Sequence, residues 1–133
     1  MTAADGTQTG ETDDADPSWG IQAKYPASIV TVTPAGVYST TSTARTAFFP
    51  GNGNPFGFTS RTEKVSVDGK EYKRIYDVAS KTFKNTTPLN RQSLEILDDK
   101  GRLIHQETAG INPQDISYDT KGRLQTIKQG TGA

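Results

Sequence analysis

The 133-residue chain has no cysteine, a single histidine and few large apolar side chains. The absence of cysteine excludes disulfide bonds and thiolate metal sites, and one histidine leaves few ligands for any other transition-metal site. No apolar run approaches the roughly 18 residues that a membrane-spanning helix needs, so no membrane span is predicted. The N-terminal segment has no basic stretch followed by an apolar one, so it does not resemble a secretory signal peptide.

The low apolar content restricts the fold class. Leu, Ile, Val and Phe together number 24, which favours either disorder or a sheet with a thin core. Disorder is also typical of a high net charge, whereas here 15 basic residues balance 15 acidic ones. The chain has 19 threonines, which suit half-exposed strands, and 13 glycines and 7 prolines, which suit frequent turns. This composition favours an all-β protein.

The acidic residues are concentrated at the N-terminus. Residues 1–16 contain five acidic side chains and no basic one, and we therefore predict a disordered acidic leader or linker over residues 1–18. Its carboxylates lack the spacing of an EF-hand loop, so no metal site is predicted there. The remaining 15 basic and 10 acidic residues form no obvious basic cluster, which argues against a nucleic-acid partner.

Strand patterns and turn signals alternate from residue 19 to residue 133. The clearest hairpin signal is Asp68-Gly69, because a type I′ turn needs positive φ at both central residues. No segment combines a helix cap with helical periodicity over a sufficient length. The predicted fold is therefore all-β, a curved antiparallel sheet of stacked β-hairpins. The predicted strands are residues 27–33, 37–49, 61–67, 70–76, 83–87, 92–97, 102–107, 115–118 and 123–128.

An internal repeat is the most specific feature of the sequence. Residues 97–103 (LDDKGRL) and 118–124 (YDTKGRL) are identical at five of seven positions and lie 21 residues apart. A further step of 21 residues towards the N-terminus reaches Tyr76-Asp77, where Ser80 and Lys81 stand in place of the Gly-Arg pair. Units of this length are typical of hairpins that stack side by side.

The motif has a clear physical role as a turn. Aspartate at the first position and glycine at the fourth are favoured in a type I turn, and the glycine can then adopt the left-handed conformation that completes a bulged hairpin. The apolar residues that flank the turn are expected to share a face and pack across the hairpin.

These residues resemble the core of the YD-repeat (RHS-repeat) family, which reads Tyr-Asp-x-x-Gly-Arg-Leu. The resemblance covers about residues 60–133, is closest at 118–124, and departs from the pattern with a leucine at position 97 and without Gly-Arg in the first copy. The residues predicted to form the structural repeat motif are Tyr76, Asp77, Leu97, Asp98, Gly101, Arg102, Leu103, Tyr118, Asp119, Gly122, Arg123 and Leu124.

The resemblance implies a role for the chain. YD-repeat sheets spiral into a hollow shell that encloses a cargo, often a C-terminal toxin domain, or that displays a surface for adhesion. The resemblance implies a protein that is secreted or displayed at the cell surface. The partners it implies are neighbouring repeats of the full-length chain and, in addition, an enclosed toxin domain or a cell-surface glycan. Three repeats are too few to close a shell, so we expect a partial reading frame with an exposed edge strand.

Catalytic and binding alternatives rest on a few side chains. His105 has no second histidine or cysteine to work with, and Glu107 with Asp115 is a weak match to paired glycosidase carboxylates. We therefore predict no enzyme, no catalytic residues and no cofactor. Arg102 and Arg123 are expected to pair with nearby acids or to stack on tyrosine.

The aromatic residues around the loop at residues 50–55 leave a second function open. Phe48-Phe49 and Phe56-x-Phe58 bracket this glycine-rich loop, and we expect them to clamp it as a small core. The alternative is that they stack on sugar rings, which would make the chain a carbohydrate-binding or adhesion module.

Overall fold

The structure, a computed structural model, describes residues 1–51 and 53–130. These residues form ten β-strands joined by turns. The strands are β1 Gln8–Asp16, β2 Gly20–Val32, β3 Tyr38–Phe48, β4 Ser60–Val67, β5 Lys70–Asp77, β6 Thr82–Thr86, β7 Gln92–Leu97, β8 Leu103–Thr108, β9 Ile111–Tyr118 and β10 Leu124–Gln129. Within the described ranges, no helix is long and apolar enough to cross a membrane.

The prediction of an all-β fold built from antiparallel hairpins is confirmed. The chain divides into two compact units, Met1–Lys73 and Arg74–Ala133, and the division falls within β5. In the first unit β1, β2, β3 and β4 pair in chain order, every pair antiparallel. In the second unit β6 to β10 also pair consecutively and antiparallel. Consecutive pairing of this kind keeps most contacts local in sequence.

The core is thin, as the low apolar content suggests. Among the described residues only Tyr25 and Asp16 are buried, with 4% and 5% of their surface exposed. The other side chains lie half-buried or exposed on the sheet faces. Apart from Tyr25, no apolar side chain of the described residues is buried, so apolar packing is confined to half-buried sheet faces.

The structure differs from the predicted disordered leader over residues 1–18. Strand β1 lies in this segment and pairs with β2 along most of its length. Its acidic charge is partly neutralised by side chains of other strands: Lys24 of β2 lies 2.6 Å from Asp13, and Arg61 of β4 lies 2.6 Å from Asp16. The composition of the segment alone predicted disorder because these partner charges lie elsewhere in the sequence.

The Asp68-Gly69 turn between β4 and β5 has the predicted geometry. Asp68 has a φ of 49° and Gly69 a φ of 80°, so both central residues are left-handed, as a type I′ turn requires. The Asp68 carboxylate also accepts hydrogen bonds from the backbone N–H of Thr40 at 2.8 Å and from the hydroxyl of Ser39 at 3.1 Å. This turn therefore also satisfies polar groups at the start of β3.

Two strands begin several residues earlier than their sequence patterns predicted, and each contains a proline. Pro26 lies within β2 opposite Asp13, where the register shifts at a β-bulge. Pro113 lies within β9, which begins at Ile111 after a short turn that includes Gly110 at a φ of 82°. Proline removes a backbone donor and so weakens a strand prediction, but bulges accommodate it.

Candidate functional site

The motif turn at residues 98–102 joins β7 to β8 and is closed by one aspartate. Asp98 Oδ1 accepts hydrogen bonds from the backbone N–H groups of Lys100 at 2.8 Å and Arg102 at 2.9 Å. Its Oδ2 accepts a hydrogen bond from Arg102 Nε at 2.7 Å. Gly101 has a φ of 77°, and its N–H donates to the Asp98 carbonyl at 3.0 Å. The aspartate thus holds both the backbone of the turn and its arginine.

The turn at residues 119–123, between β9 and β10, repeats this arrangement. Asp119 Oδ1 accepts from the N–H groups of Lys121 and Arg123, each at 2.9 Å, and its Oδ2 accepts from Arg123 Nε at 2.8 Å. Gly122 has a φ of 80°, and its N–H donates to the Asp119 carbonyl at 2.9 Å. The sequence repeat therefore corresponds to a repeated hydrogen-bond pattern.

The same contacts lower the pKa of both aspartates. For Asp98 the main cause is the hydrogen bond from the Arg102 backbone N–H, and the Arg102 guanidinium adds to it. For Asp119 the Arg123 backbone N–H has the corresponding role. Donors that favour the ionised carboxylate keep each turn closed at neutral pH.

The first copy, between β5 and β6, has a different turn. Asp77 accepts hydrogen bonds from the Ala79 N–H at 3.2 Å and the Ser80 hydroxyl at 3.1 Å. The left-handed residue is Lys81, with a φ of 52°, and its N–H donates to the Val78 carbonyl at 3.3 Å. The turn is thus displaced by one residue, so Lys81 occupies the position of the glycine, where the sequence alignment had placed Ser80.

Two further turns between strands have the same backbone bonds without the motif. Thr33 and Thr87 begin them, and the hydroxyl of each accepts a hydrogen bond, at 3.2 Å, from the backbone N–H four residues later. Their left-handed residues are Gly36, at a φ of 79°, and Asn90, at 58°. The backbone of the turn is therefore not specific to the repeat, whereas the Asp-Arg pair distinguishes the two motif turns from these.

The arginine of the motif turn at residues 98–102 contacts the next hairpin along the chain. The Arg102 guanidinium lies over the Tyr118 ring, 4.4 Å from its centroid, and the Tyr118 hydroxyl donates to the Leu103 carbonyl at 2.8 Å. A Cβ atom at Gly122 would lie only 3.2 Å from Arg102 Nη1, so the arginine passes close over the following turn. The prediction that Arg102 pairs with an acid or stacks on tyrosine is confirmed on both counts.

The degenerate copy makes a similar contact with a lysine. The Lys81 ammonium forms an ion pair with Asp99, in the following motif turn, and the Lys81 carbonyl accepts a hydrogen bond from the Leu97 N–H at 2.9 Å. Leu97 stands where the motif has tyrosine, so no ring is present there for a cation to cover. Charge pairing replaces cation–π stacking at this step.

Arg123, in the last motif turn, pairs with Asp119 but has no following hairpin among the described residues. Its side chain is 73% exposed, whereas that of Arg102 is 29% exposed. Leu124, directly after it, is 57% exposed. The arginine of this turn and the leucine after it are therefore open to solvent.

Tyr76 belongs to an aromatic cluster that the sequence did not indicate. Its ring stacks on Phe83 with a centroid distance of 4.5 Å. Arg74 lies 4.1 Å from the centroid of the same Phe83 ring and pairs with Glu95 at 3.3 Å. Arg74 and Phe83 lie outside the motif. Their contact could have been predicted only from the pairing of the strands that carry them, β5 and β6.

The first unit contains an ion cluster around the buried Asp16. Asp16 Oδ2 lies 2.6 Å from Arg61 Nη2 and 3.9 Å from Arg45 Nη1. The Arg45 guanidinium lies 4.5 Å from the Tyr25 ring centroid, its Nε pairs with Glu63 at 2.6 Å, and its backbone N–H donates to the Tyr25 hydroxyl. Sequence reasoning missed this cluster because it had placed Asp16 in the leader.

The surroundings of Asp16 favour its ionised form. Burial raises its pKa, but the backbone N–H of Ser18, the Arg61 guanidinium and the backbone N–H of Trp19 outweigh burial and lower it. The Ser18 and Trp19 N–H groups lie 2.8 Å and 3.3 Å from Oδ1. Asp16 therefore anchors the β1–β2 turn in its ionised form.

His105, the only histidine, lies between two carboxylates. Its Nδ1 is 2.6 Å from Asp115 Oδ1 and its Nε2 is 3.0 Å from Glu107 Oε1. These hydrogen bonds, that to Asp115 first, raise the pKa of the imidazole. The imidazole thus lies between Glu107 and Asp115, where a glycosidase would need space for the sugar between its two carboxylates. Both ring nitrogens of His105 already have hydrogen-bond partners.

The aromatic residues near residues 50–55 form two pairs. Phe49 and Phe58 meet edge to face with centroids 6.2 Å apart, which agrees with the expected clamp. Phe56 meets Trp19 at 5.0 Å. Phe48, Phe56 and Trp19 remain 63%, 76% and 43% exposed, so part of this aromatic surface is open to solvent.

Neither a metal centre nor a known relative identifies the site. In residues 1–51 and 53–130, no three His, Cys, Asp or Glu side chains are grouped as metal ligands. No protein-family model matches the chain, and no curated protein matches it significantly. The motif turns and their arginines are therefore the best-defined candidate site.

Proposed function

We propose that this chain is a non-catalytic structural segment of an RHS/YD-repeat β-shell. In this proposal the parent protein is secreted or displayed at the cell surface, and the shell encloses a cargo, often a C-terminal toxin, or presents an adhesive surface. The neighbouring repeats of the full-length chain are its immediate partners.

One observation carries this proposal: the turns at Asp98 and Asp119 have the same hydrogen bonds, and Arg102 links the first to the hairpin of the second. A repeat whose side chains join successive hairpins is suited to extending a sheet. Asp98 and Asp119 are each occupied by three donors of their own turn, which leaves them poorly placed for acid–base chemistry.

The test is to sequence the source DNA on both sides of the reading frame. We expect further Tyr-Asp-x-x-Gly-Arg units at a spacing of about 21 residues, together with a downstream cargo domain. A reading frame that ends at the last residue with no repeats upstream would overturn the shell proposal.

A carbohydrate-binding or adhesion module is the second candidate. The open aromatic surface of Trp19, Phe48 and Phe56 favours it, because exposed rings can stack on sugar rings. A glycan array with the full chain would test it, using Phe56→Ala as the variant. Tyr38→Ala is the matched control, because Tyr38 is an exposed aromatic of the same unit at 72% exposure. Binding at background, or equal binding by both variants, would count against this candidate.

A further inference from the structure

The second unit has an open groove on one face of its sheet. The groove has a volume of about 540 Å³, which is within the size range of small-molecule sites. Its walls include one cation, Lys84, and one carboxylate, Glu107, and its apolar surface comes from Leu94, Ile111 and Pro113. All five residues lie outside the motif turns, so the groove is separate from the contacts that join the repeats.

Strand register fixes the order of the charged groups across the groove. Leu94 on β7 pairs with Lys84 on β6 and with Glu107 on β8. Residues directly opposite each other in an antiparallel ladder project from the same face of the sheet. Lys84, Leu94 and Glu107 therefore form one row across three strands, with a positive charge at one end, a negative charge at the other and an apolar side chain between them.

The Lys84 ammonium is available to a ligand. Its side chain is exposed, and in the described part of the chain it forms no ion pair. Two other cations of the same unit are already paired, Arg74 with Glu95 and Lys81 with Asp99. Lys84 is therefore suited to bind an anionic group through a charge-assisted hydrogen bond.

Glu107 is held at the opposite wall by a neighbouring side chain. Its Oε1 lies 3.0 Å from His105 Nε2, and 56% of its side chain is exposed. The other ring nitrogen of His105 is bound to Asp115. Two carboxylates around one imidazole leave a net negative charge on this wall even when the imidazole is protonated, which favours a cationic group beside Glu107.

We propose that this groove binds the zwitterion of an amino acid with an aliphatic side chain. Lys84 binds the carboxylate, Glu107 binds the ammonium, and Leu94 with Ile111 and Pro113 contacts the side chain. This binding activity goes beyond the proposed structural role and does not depend on it.

The spacing of the two charged groups suits a ligand of this class. Two strand spacings of about 4.8 Å place the backbones of Lys84 and Glu107 about 10 Å apart. Side chains stand roughly perpendicular to a sheet, so a hydrogen bond of about 2.8 Å at each end leaves about 4 Å for the ligand. The three bonds from the ammonium nitrogen to a carboxylate oxygen of an α-amino acid span about 3–4 Å.

The test titrates the isotope-labelled full chain with L-leucine and follows the backbone amide shifts by NMR. We expect saturable shifts in β7 and β8 around Leu94 and Glu107, with a dissociation constant on the order of 1 mM. The titrations are made at a pH of about 6.5, below the usual pKa of an α-amino group, so that the amine of each ligand is protonated.

Three further ligands separate the parts of the recognition. Leucinamide lacks the carboxylate and N-acetylleucine lacks the ammonium, and each should bind about threefold to tenfold more weakly than leucine. Glycine keeps both charges without the side chain and should bind at least about fivefold more weakly, because it forfeits the apolar contact with Leu94.

Variants of the two charged residues should have opposite selectivity. Lys84→Gln should weaken the binding of leucine and N-acetylleucine and leave that of leucinamide unchanged. Glu107→Gln should weaken the binding of leucine and leucinamide and leave that of N-acetylleucine unchanged, while its amide oxygen remains an acceptor for His105. Lys100→Gln is the matched control, because it removes one positive charge from the turn at the opposite end of the β7–β8 hairpin and should bind leucine like the unmodified chain.

The outcomes are distinct. Absence of saturable shifts would overturn the site, and so would equal binding of leucine, leucinamide and N-acetylleucine, or equal effects of Lys84→Gln and Lys100→Gln. Tightest binding of leucine, with the opposite losses in the Lys84 and Glu107 variants, would support the site whether or not repeats are found in the flanking DNA.

Discussion

The two glycines of the motif turns provide a matched pair for testing how Arg102 links the repeats. Gly101 and Gly122 have φ values of 77° and 80°, so alanine is strained at both. A Cβ at Gly101 would meet nothing within 4 Å, whereas one at Gly122 would lie 3.2 Å from Arg102 Nη1. Gly122→Ala should therefore disturb the arginine as well as the turn.

The expected magnitudes follow from these two contributions. A left-handed alanine costs about 1–2 kcal/mol, and this cost applies to both variants. Displacing the guanidinium from Tyr118 forfeits at most about 1 kcal/mol at a partly exposed site, and less if the flexible side chain adjusts. Gly122→Ala should thus lower the free energy of unfolding by up to about 1 kcal/mol more than Gly101→Ala does.

Urea unfolding followed by far-UV circular dichroism measures this difference. Trp19, the only tryptophan, lies in the first unit, so its fluorescence separates unfolding of that unit from unfolding of the second. The extra loss in Gly122→Ala should disappear in an Arg102→Ala background. A difference that persists without the arginine would refute the role assigned to Arg102, and unchanged midpoints for both glycine variants would refute the turn strain.

Asp16→Asn should lower the free energy of unfolding of the first unit by about 1–3 kcal/mol, because Arg61 and the Ser18 N–H lose a charged acceptor at a buried position; an unchanged urea midpoint by Trp19 fluorescence would contradict this. The hydrogen bonds to Asp115 and Glu107 that raise the pKa of His105 stabilise the fold while the imidazole is protonated. This contribution to the free energy of unfolding is fully present below the unfolded pKa of about 6.5 and is lost as the pH rises through the higher folded pKa. His105→Gln should abolish this part of the pH dependence of the urea midpoint, and an identical pH profile would refute it. Arg102→Ala should lower the melting temperature more than Arg123→Ala, since only Arg102 covers a ring; equal shifts would show that stacking adds nothing.

The turns were predictable from the sequence because they are closed by local bonds. Asp98 and Asp119 bond only within the next four residues, so aspartate and glycine at fixed spacing specify the turn directly. Asp68-Gly69 is a second example, since its two left-handed residues are what the type I′ turn requires. The all-β class follows from such turns between β-branched segments.

Some local details were not predictable even so. Lys81 is left-handed although it is not glycine, and its turn lies one residue later than the spacing of the repeat predicts. Strand β1 likewise depends on the partner strand that supplies Lys24 and on arginines that reach Asp16.

The sequence by itself thus determined the all-β class, the two motif turns and most of the strands in their order, but not β1. Only the tertiary structure decided which distant side chains meet: Asp16 with Arg61, Arg45 with Tyr25, and Arg102 with Tyr118. The physical reason is that a turn depends on bonds between neighbours in the chain, whereas contacts across strands depend on register. Register is set by all the residues of both strands together, and a shift of one residue would turn each of these side chains to the opposite face.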